Sequence, residues 1–477
     1  MTSPIRLSRR QFVQRALAVT AAFPGLKSLS RSVEAAGATN PIALDRYGPL
    51  VPDPHRILDL PEGFGYRVIS RTGDRMADGL LVPGFPDGMA AFSGSDGKVI
   101  LIRNHELESK GEGGIAEFYR RLGPYGRLNQ TFSAVDVEKL YDRGGVKGFP
   151  SIGGTTTLVC DPDSGERVTE FLSLAGTERN CAGGVTPWGT WLTCEESSAK
   201  ANGEFLADHG YVFEVKPTES PELQTAKPYE DMGRFRREAV AVDPVTGIIY
   251  QSEDKGDSLF YRFIPKVPGQ LDRGGRLQAL MLADRKSADT RNWTETQDSR
   301  LPVGKPIDVT WIDLEDVRSP KDDLRQRGFE AGAALFARGE GLWFGDGVLF
   351  FACTNGGPAR FGQIFKYTSA VPDGSDGSRS TGALELFMES TDDNVIRSVD
   401  NLTVAPWGDL IVCEDRRTES HLRGITFDGK IYTIAKNALN GTEFAGACFA
   451  PDRSTLFVNI QKPGLTLAID GPWEWVT

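Results

Sequence analysis

The stretch of this chain best equipped for chemistry covers residues 179–196, RNCAGGVTPWGTWLTCEE. It places Asn180 and Cys181 in a polar, glycine-rich turn, adds a Thr-Pro-Trp-Gly corner and strand-type residues from Thr190 to Thr193, and closes on Cys194, Glu195 and Glu196. A bend at Pro187-Trp188-Gly189 would return the chain as a hairpin and bring thiol and carboxylate together. Thiolate beside carboxylate is a metal-ligand combination. A single cysteine near a single glutamate is ordinarily a small core residue near a solvated acid. Here, however, the motif recurs. Residues 401–415 read NLTVAPWGDLIVCED, so that Pro406-Trp407-Gly408 and Cys413-Glu414-Asp415 repeat the first copy at the same internal spacing, 219 residues later. Long-range repetition marks an architecture whose units present like edges to a common axis.

Acidic groups recur at other strand ends: Asn104-His105-Glu106, Arg237-Glu238, Glu253-Asp254, Arg338-Gly339-Glu340 and Asp400-Asn401. Any one of them fits a solvated turn. Gathered at one channel mouth, they would repel one another strongly unless polyvalent cations neutralised them. Positions with oxygen ligands only suit Ca²⁺, whereas a position including Cys181 suits a transition metal. The four histidines, His55, His105, His209 and His421, are too few for a histidine-rich zinc or di-metal hydrolase and weaken a Ser-His-Asp reading. No Gly-x-Ser-x-Gly elbow, Walker loop or GxGxxG turn is present, which argues against acyl hydrolases, NTPases and nicotinamide enzymes.

The elements that must position these groups read as strands. Short apolar runs such as GKVILIRN (97–104), HGYVFEVK (209–216), GIIYQSED (247–254), DSLFYRFIP (257–265), GVLFFACT (347–354), GQIFKYTS (362–369) and STLFVNIQ (454–461) follow one another between Gly, Asp, Asn and Pro turns. Helical periodicity is confined to residues 115–122 and 320–327. A hairpin unit repeated over most of the chain predicts an all-β fold, a six-bladed β-propeller with a few short helices in inserted loops. Two β-sandwich domains are the alternative. Residues 372–380 form a polar loop without EF-hand spacing. Cys160, Cys194, Cys353 and Cys413 sit in strand-type runs and read as packed residues, which leaves Cys181 as the reactive or ligating cysteine; no disulfide is required.

Near the start, Ser8-Arg9-Arg10-Gln11-Phe12-Val13 precedes an apolar run from Ala16 to Phe23 and an Ala36-Gly37-Ala38 cleavage pattern. This order resembles a Tat export signal over residues 1–38, followed by one catalytic domain over 39–477 in a periplasmic or secreted protein. The net charge of -11 becomes about -16 once the six basic residues and single glutamate of that segment are removed. So acidic a chain is poorly suited to nucleic acid or anionic lipid. No later segment is apolar enough to span a membrane, and a monomer is expected.

Several blocks together resemble the PhoX-type alkaline phosphatases, which are exported by Tat: RNCAGGVTPWGTWLTCEES, GRFRREAVAVDPVTGIIYQSED, FARGEGLWFGDG, TNGGPARFGQIFKY, VDNLTVAPWGDLIVCED and FAGACFAPDRSTLFVNIQKPG. The resemblance spans nearly the whole chain after the signal. It implies a propeller carrying an iron-calcium cluster, Fe³⁺ with Ca²⁺, that hydrolyses small phosphomonoesters. It places an iron ligand at Cys181, the CEE-motif glutamate at Glu196, and the RxEG arginine and glutamate at Arg338 and Glu340. The expected catalytic residues are Arg338 and Cys181. The expected metal ligands are Cys181, Glu196, Glu238, Glu340, Glu106, Asn104, Glu253, Asp400 and Glu414. Where the family pattern has His-Glu, this chain has Arg237-Glu238, which puts the surroundings of that ligand in question. The rival readings are a Ca²⁺-dependent lactonase or phytase-like propeller hydrolase, indifferent to Cys181→Ser, and a non-catalytic calcium-binding cell-surface propeller.

Overall fold

The computed structural model describes residues 42–109, 122–124, 135–144, 151–161, 164–295, 300–345, 347–369 and 382–473. The export signal, the polar loop 372–380 and nearly all of the expected helix 115–122 lie outside them. The expected strands form where β-branched and aromatic residues run between turn formers, among them Val99–His105, Val212–Val215, Ile249–Glu253, Tyr261–Pro265, Val348–Cys353, Gln363–Thr368 and Thr455–Ile460. Turn chemistry sets where they end. Between Val242 and Ile249, the Asp243 carboxylate accepts from Val245 N and Thr246 Oγ1 at 2.8 and 2.6 Å, and Gly247 takes φ +74°. The α-helix Leu324–Ala331 begins later than the sequence predicts, because Asp316, Ser319 and Asp322 adopt positive φ ahead of it. No described helix is long and apolar enough to cross a membrane.

Antiparallel hairpins are the repeating unit, and the sheets they form take a propeller-like arrangement. The inner strands Pro86–Ser93, Asn180–Val185, Arg237–Val242, Gly339–Gly345, Val399–Val404 and Phe444–Phe449 pack side by side in that order, with the last against the first. Strand Gly65–Arg71, early in the chain, pairs with Leu465–Asp470 near its end and completes the last sheet. Aromatic side chains fill the core of the largest sheet: Phe260 stacks on Phe351 (4.3 Å between centroids), and Phe351 stacks on its cross-strand partner Phe365 (5.1 Å).

Each inner strand carries a one-residue bulge near its start. Pro86 pairs with His105, but Met89 pairs with Arg103. The same slip follows Asn180, Arg237, Gly339 and Val399, and in the last hairpin it falls after Ala445. Immediately before each strand, the carbonyl of Phe85, Arg179, Arg236, Arg338, Ser398 or Glu443 accepts from the amide of Glu106, Glu196, Asp254, Thr354, Asp415 or Gln461, at 2.9–3.3 Å. One backbone device therefore recurs six times, and it re-aims the side chains beside it toward the axis.

Small residues let the strands approach at the throat of the channel, which Gly88, Ala182, Gly183, Ala239, Gly341 and Gly446 help to line. A Cβ on Gly184 would overlap the carbonyl oxygen of Val240 on the next inner strand. Because that contact is backbone, it cannot yield cheaply. Gly184→Ala is therefore expected to lose about 1–3 kcal/mol of stability, read as a lower midpoint in denaturant titration with an unchanged slope; a midpoint equal to wild type contradicts this packing.

Candidate metal centre at one mouth of the channel

Above the throat, the device opens a cavity of about 610 Å³. The residue after the first strand residue faces it in five of the six inner strands: Asp87, Cys181, Glu238, Glu340 and Asp400. In the sixth, the equivalent position is Ala445 and an acid is supplied by Glu443, just ahead of the strand. The far ends of the hairpins add Glu106, Glu196, Asp254, Asp415 and Gln461. Among the described residues three donor groups result, each with its atoms within 4.8 Å: Cys181 with Glu196 and Glu238; Glu238 with Glu340 and Asp400; and Asp87 with Glu106 and Glu443. Glu238 belongs to two of them. Asp87 Oδ1 is buried with no hydrogen-bond partner among the described residues, an oxygen suited to take a cation.

Arginines brace the acids. Arg338 forks onto Asp254, Nε to Oδ1 at 2.7 Å and Nη2 to Oδ2 at 2.8 Å, and lies 3.0 Å from Glu340. Arg179 Nη2 lies 2.6 Å from Glu106, its Nε lies 2.6 Å from Glu196, and Arg236 also pairs with Glu196. Burial followed by neighbouring carboxylates raises Asp87, Glu238, Glu340 and Glu443 well above the usual acid range; burial and Asp415 do the same to Asp400. Burial carries Glu196 to about 8 despite its two arginines. Burial, with Glu238 beside it, also pushes the Cys181 thiol far up. Asp254 is the exception: burial works to raise it, but the Arg338 fork outweighs burial and holds it below the usual range. So many buried acids with raised affinity for protons form a site that polyvalent cations fit.

The family model described as "Alkaline phosphatase PhoX" matches residues 45–464. The chain belongs to the PhoX alkaline phosphatase family. Among solved structures, it is similar to Pseudomonas fluorescens PhoX in complex with vanadate, a transition state analogue, at 17% identity and TM-score 0.64 over 92% of this chain and 98% of that one. A putative gluconolactonase matches at 11% identity and TM-score 0.39 over 87% of this chain and 94% of that one. A putative 6-phosphogluconolactonase from Bacteroides uniformis matches at 11% and 0.34, over 77% and 76%. No curated protein matches.

In this PhoX-family phosphatase, Cys181, Glu196, Glu238, Glu340, Glu106, Asp400 and Arg338 all line the cavity. Three expected ligands do not. Asn104 turns its amide to the carbonyls of Cys181 and Ala182 and accepts from Trp191, so it fixes backbone. Glu253 is held by Tyr261 at 2.7 Å and faces Arg325, while Glu414 takes Arg397 N, His421 N and Arg423. Their successors, Asp254 and Asp415, line the cavity in their place, because the residue paired across the hairpin and the next one point to opposite faces. Asp87 and Glu443 went unread, although the aligned strand starts PDG, NCA, REA, GEG and VDN carry the signal. Cys181 is not in a turn: it is the second residue of a strand, with its thiol 3.4 Å from Arg237 O. Cys194 is packed in an apolar cluster, and no cysteine forms a disulfide. Arg237, at the position where the resemblance leads one to expect histidine, points away; it donates to Gly210 O, Met232 O, Gly233 O and Gln251 and stacks 3.9 Å from Phe235.

The buried acids set a pH dependence for protein stripped of metal. Glu196, raised from 4.5 to about 8, stays protonated in the fold while the unfolded chain ionises, so stability falls as pH climbs from 4.5 to 8. His209 is held by Glu195 and Asp142 and raised to about 10; its contribution, full below 6.5, is likewise lost as pH rises. Chelator-treated protein is therefore expected to melt at a higher temperature at pH 5 than at pH 8, with saturating Ca²⁺ shrinking the gap. A gap of opposite sign in calorimetry would contradict it.

Proposed function

We propose that this alkaline phosphatase works through an iron-calcium cluster in the cavity, with iron at the Cys181, Glu196 and Glu238 group and Ca²⁺ at the all-oxygen groups. The observation that carries the reading is the sharing of Glu238 between a sulfur-containing set and an oxygen set, since soft and hard donors select different metals. Bound cations would supply charge to stabilise the transferring phosphoryl group. The chain's own part is orientation. Arg338 is pinned through Nε and Nη2, and its Nη1 has no partner among the described residues, so one edge of the guanidinium remains to clamp non-bridging oxygens. Arg397, Arg416, Arg417 and Lys462 line the cavity on a chain of net charge -11 and draw a phosphate dianion inward. We further propose that the six inner strands belong to six blades, and that the protein is a monomer exported by the Tat machinery to the periplasm or outside the cell, a reading supported by the twin-arginine pair Arg9-Arg10 ahead of an apolar run.

Metal analysis of the exported protein beside an aryl phosphate assay tests this reading. Cys181→Ser is expected to lose most of the iron and most of the activity, while Cys194→Ser keeps both; equal losses in two folded variants count against the iron site. Arg338→Ala is expected to lower turnover about 100-fold and weaken inhibition by inorganic phosphate with metal content unchanged, since guanidinium ligates no cation. Glu340→Ala is expected to deplete metal together with activity. Near-normal phosphate inhibition in Arg338→Ala would reduce that residue to an ion pair of under about 1 kcal/mol.

A further inference from the structure

Arg179, Arg236 and Arg338 occupy one structural position in three successive hairpins. Each immediately precedes an inner strand, and each offers its carbonyl to the end of the neighbouring strand: to Glu196 N, Asp254 N and Thr354 N respectively. Each also pairs with the carboxylate that ends the preceding hairpin: Arg179 with Glu106, Arg236 with Glu196, and Arg338 with Asp254. Arg179 and Arg338 share two further properties that Arg236 lacks. Both hold left-handed backbone, φ +50° and +53°, as Phe85 and Ser398 do at the same position of other hairpins, so the fold enforces it. Both line the cavity, and Arg236 does not. A second carboxylate completes each brace, Glu196 for Arg179 and Glu340 for Arg338, and in both the braces use Nε and Nη2. The Nη1 group of Arg179, like that of Arg338, has no partner among the described residues.

We propose that Arg179 is a second phosphoryl-binding arginine, donating through Nη1 to a non-bridging oxygen from a side of the mouth that Arg338 does not occupy. The inference rests on the phosphatase reading of the cavity. A phosphoryl group has three non-bridging oxygens, and with Nε and Nη2 of Arg338 held by Asp254 and Glu340 only its Nη1 is left to donate; a second guanidinium, two hairpins round the ring, offers a further donor. Bracing by Glu106 and Glu196 fixes the plane of the group before substrate arrives, so little rotamer freedom is lost on binding. A purely structural role for Arg179 would be to neutralise those two acids, and that role would act on metal content rather than on phosphate.

The test uses metal-loaded wild type, Arg179→Ala, Arg179→Lys and Arg338→Ala, with inhibition by inorganic phosphate and by vanadate measured beside kcat, KM and bound metal. Arg179→Ala is expected to weaken both inhibitors at least tenfold and lower kcat/KM at least tenfold, with metal retained. Arg179→Lys, which keeps the charge but not the planar fork, should recover only part of the loss. If Arg338→Ala weakens inhibition and Arg179→Ala does not, the inference fails while the phosphatase reading stands. Full recovery in Arg179→Lys, or loss of metal in Arg179→Ala, assigns Arg179 to charge neutralisation and also overturns it. If neither arginine affects phosphate or vanadate, both readings fall together.

Discussion

Like charge confined in a buried ring is the constraint on which the rest of this structure depends. Asp87, Glu196, Glu238, Glu340 and Asp400 are each at most 8% exposed and share one cavity, where repulsion in low dielectric is strong. A surface could relieve such repulsion by letting side chains swing into water. This site cannot, because each acid is tied to a strand whose neighbours pack against it on both sides. The charge is instead balanced from within the ring, by Arg179 and Arg236 on Glu196 and by Arg338 on Asp254, and the remainder is left to protons or cations.

The bulge is what reconciles a rigid ring with convergent side chains. A regular strand alternates its side chains between two faces, so successive residues cannot both serve the axis. One extra residue after the first pair breaks the alternation at the top of five inner strands, and the residue there is the acid or thiol in each; in the sixth the break comes one pair later. Below the break, normal pleating resumes and apolar residues such as Val240, Leu342 and Leu402 return to packing. The chemistry therefore occupies only the first few residues of each inner strand, and the blades beneath can be built from ordinary hydrophobic patterning.

Most of the fold was legible because it rests on local signals: alternating runs, Asp-Gly turns and the repeated Pro-Trp-Gly corners, which close with Gly189 at φ +85° and Gly408 at φ +100°. The thiol and most of the acids were legible as recurrences at strand ends. The choice within adjacent acid pairs was not. In Glu253-Asp254 and Glu414-Asp415 both members are ionisable, and which of them faces the axis depends on the pairing register across the hairpin, fixed by a partner strand elsewhere in the chain. Asp87 was hidden for a related reason: Pro86-Asp87-Gly88 reads as a turn tripeptide, and only alignment with the other five strand starts shows it to be the same position as Cys181.

The position of Arg237 follows the same geometry. Arg237 is the first residue of its inner strand and pairs with Glu253, so its side chain leaves on the face opposite Glu238. There it is fully buried, lowered toward about 10 by burial, and stacked on Phe235 while its donors close the carbonyls of Gly210, Met232 and Gly233. A planar fork with five donors can tie three carbonyls and Gln251 at once, whereas an imidazole has two ring nitrogens. Arg237 thus fastens two loops behind the hairpin and adds nothing to the cavity's donor set. Changes at first-strand positions should accordingly act on how rigidly the acid beside them is held, whereas changes one residue further along act on which cation the ring can hold.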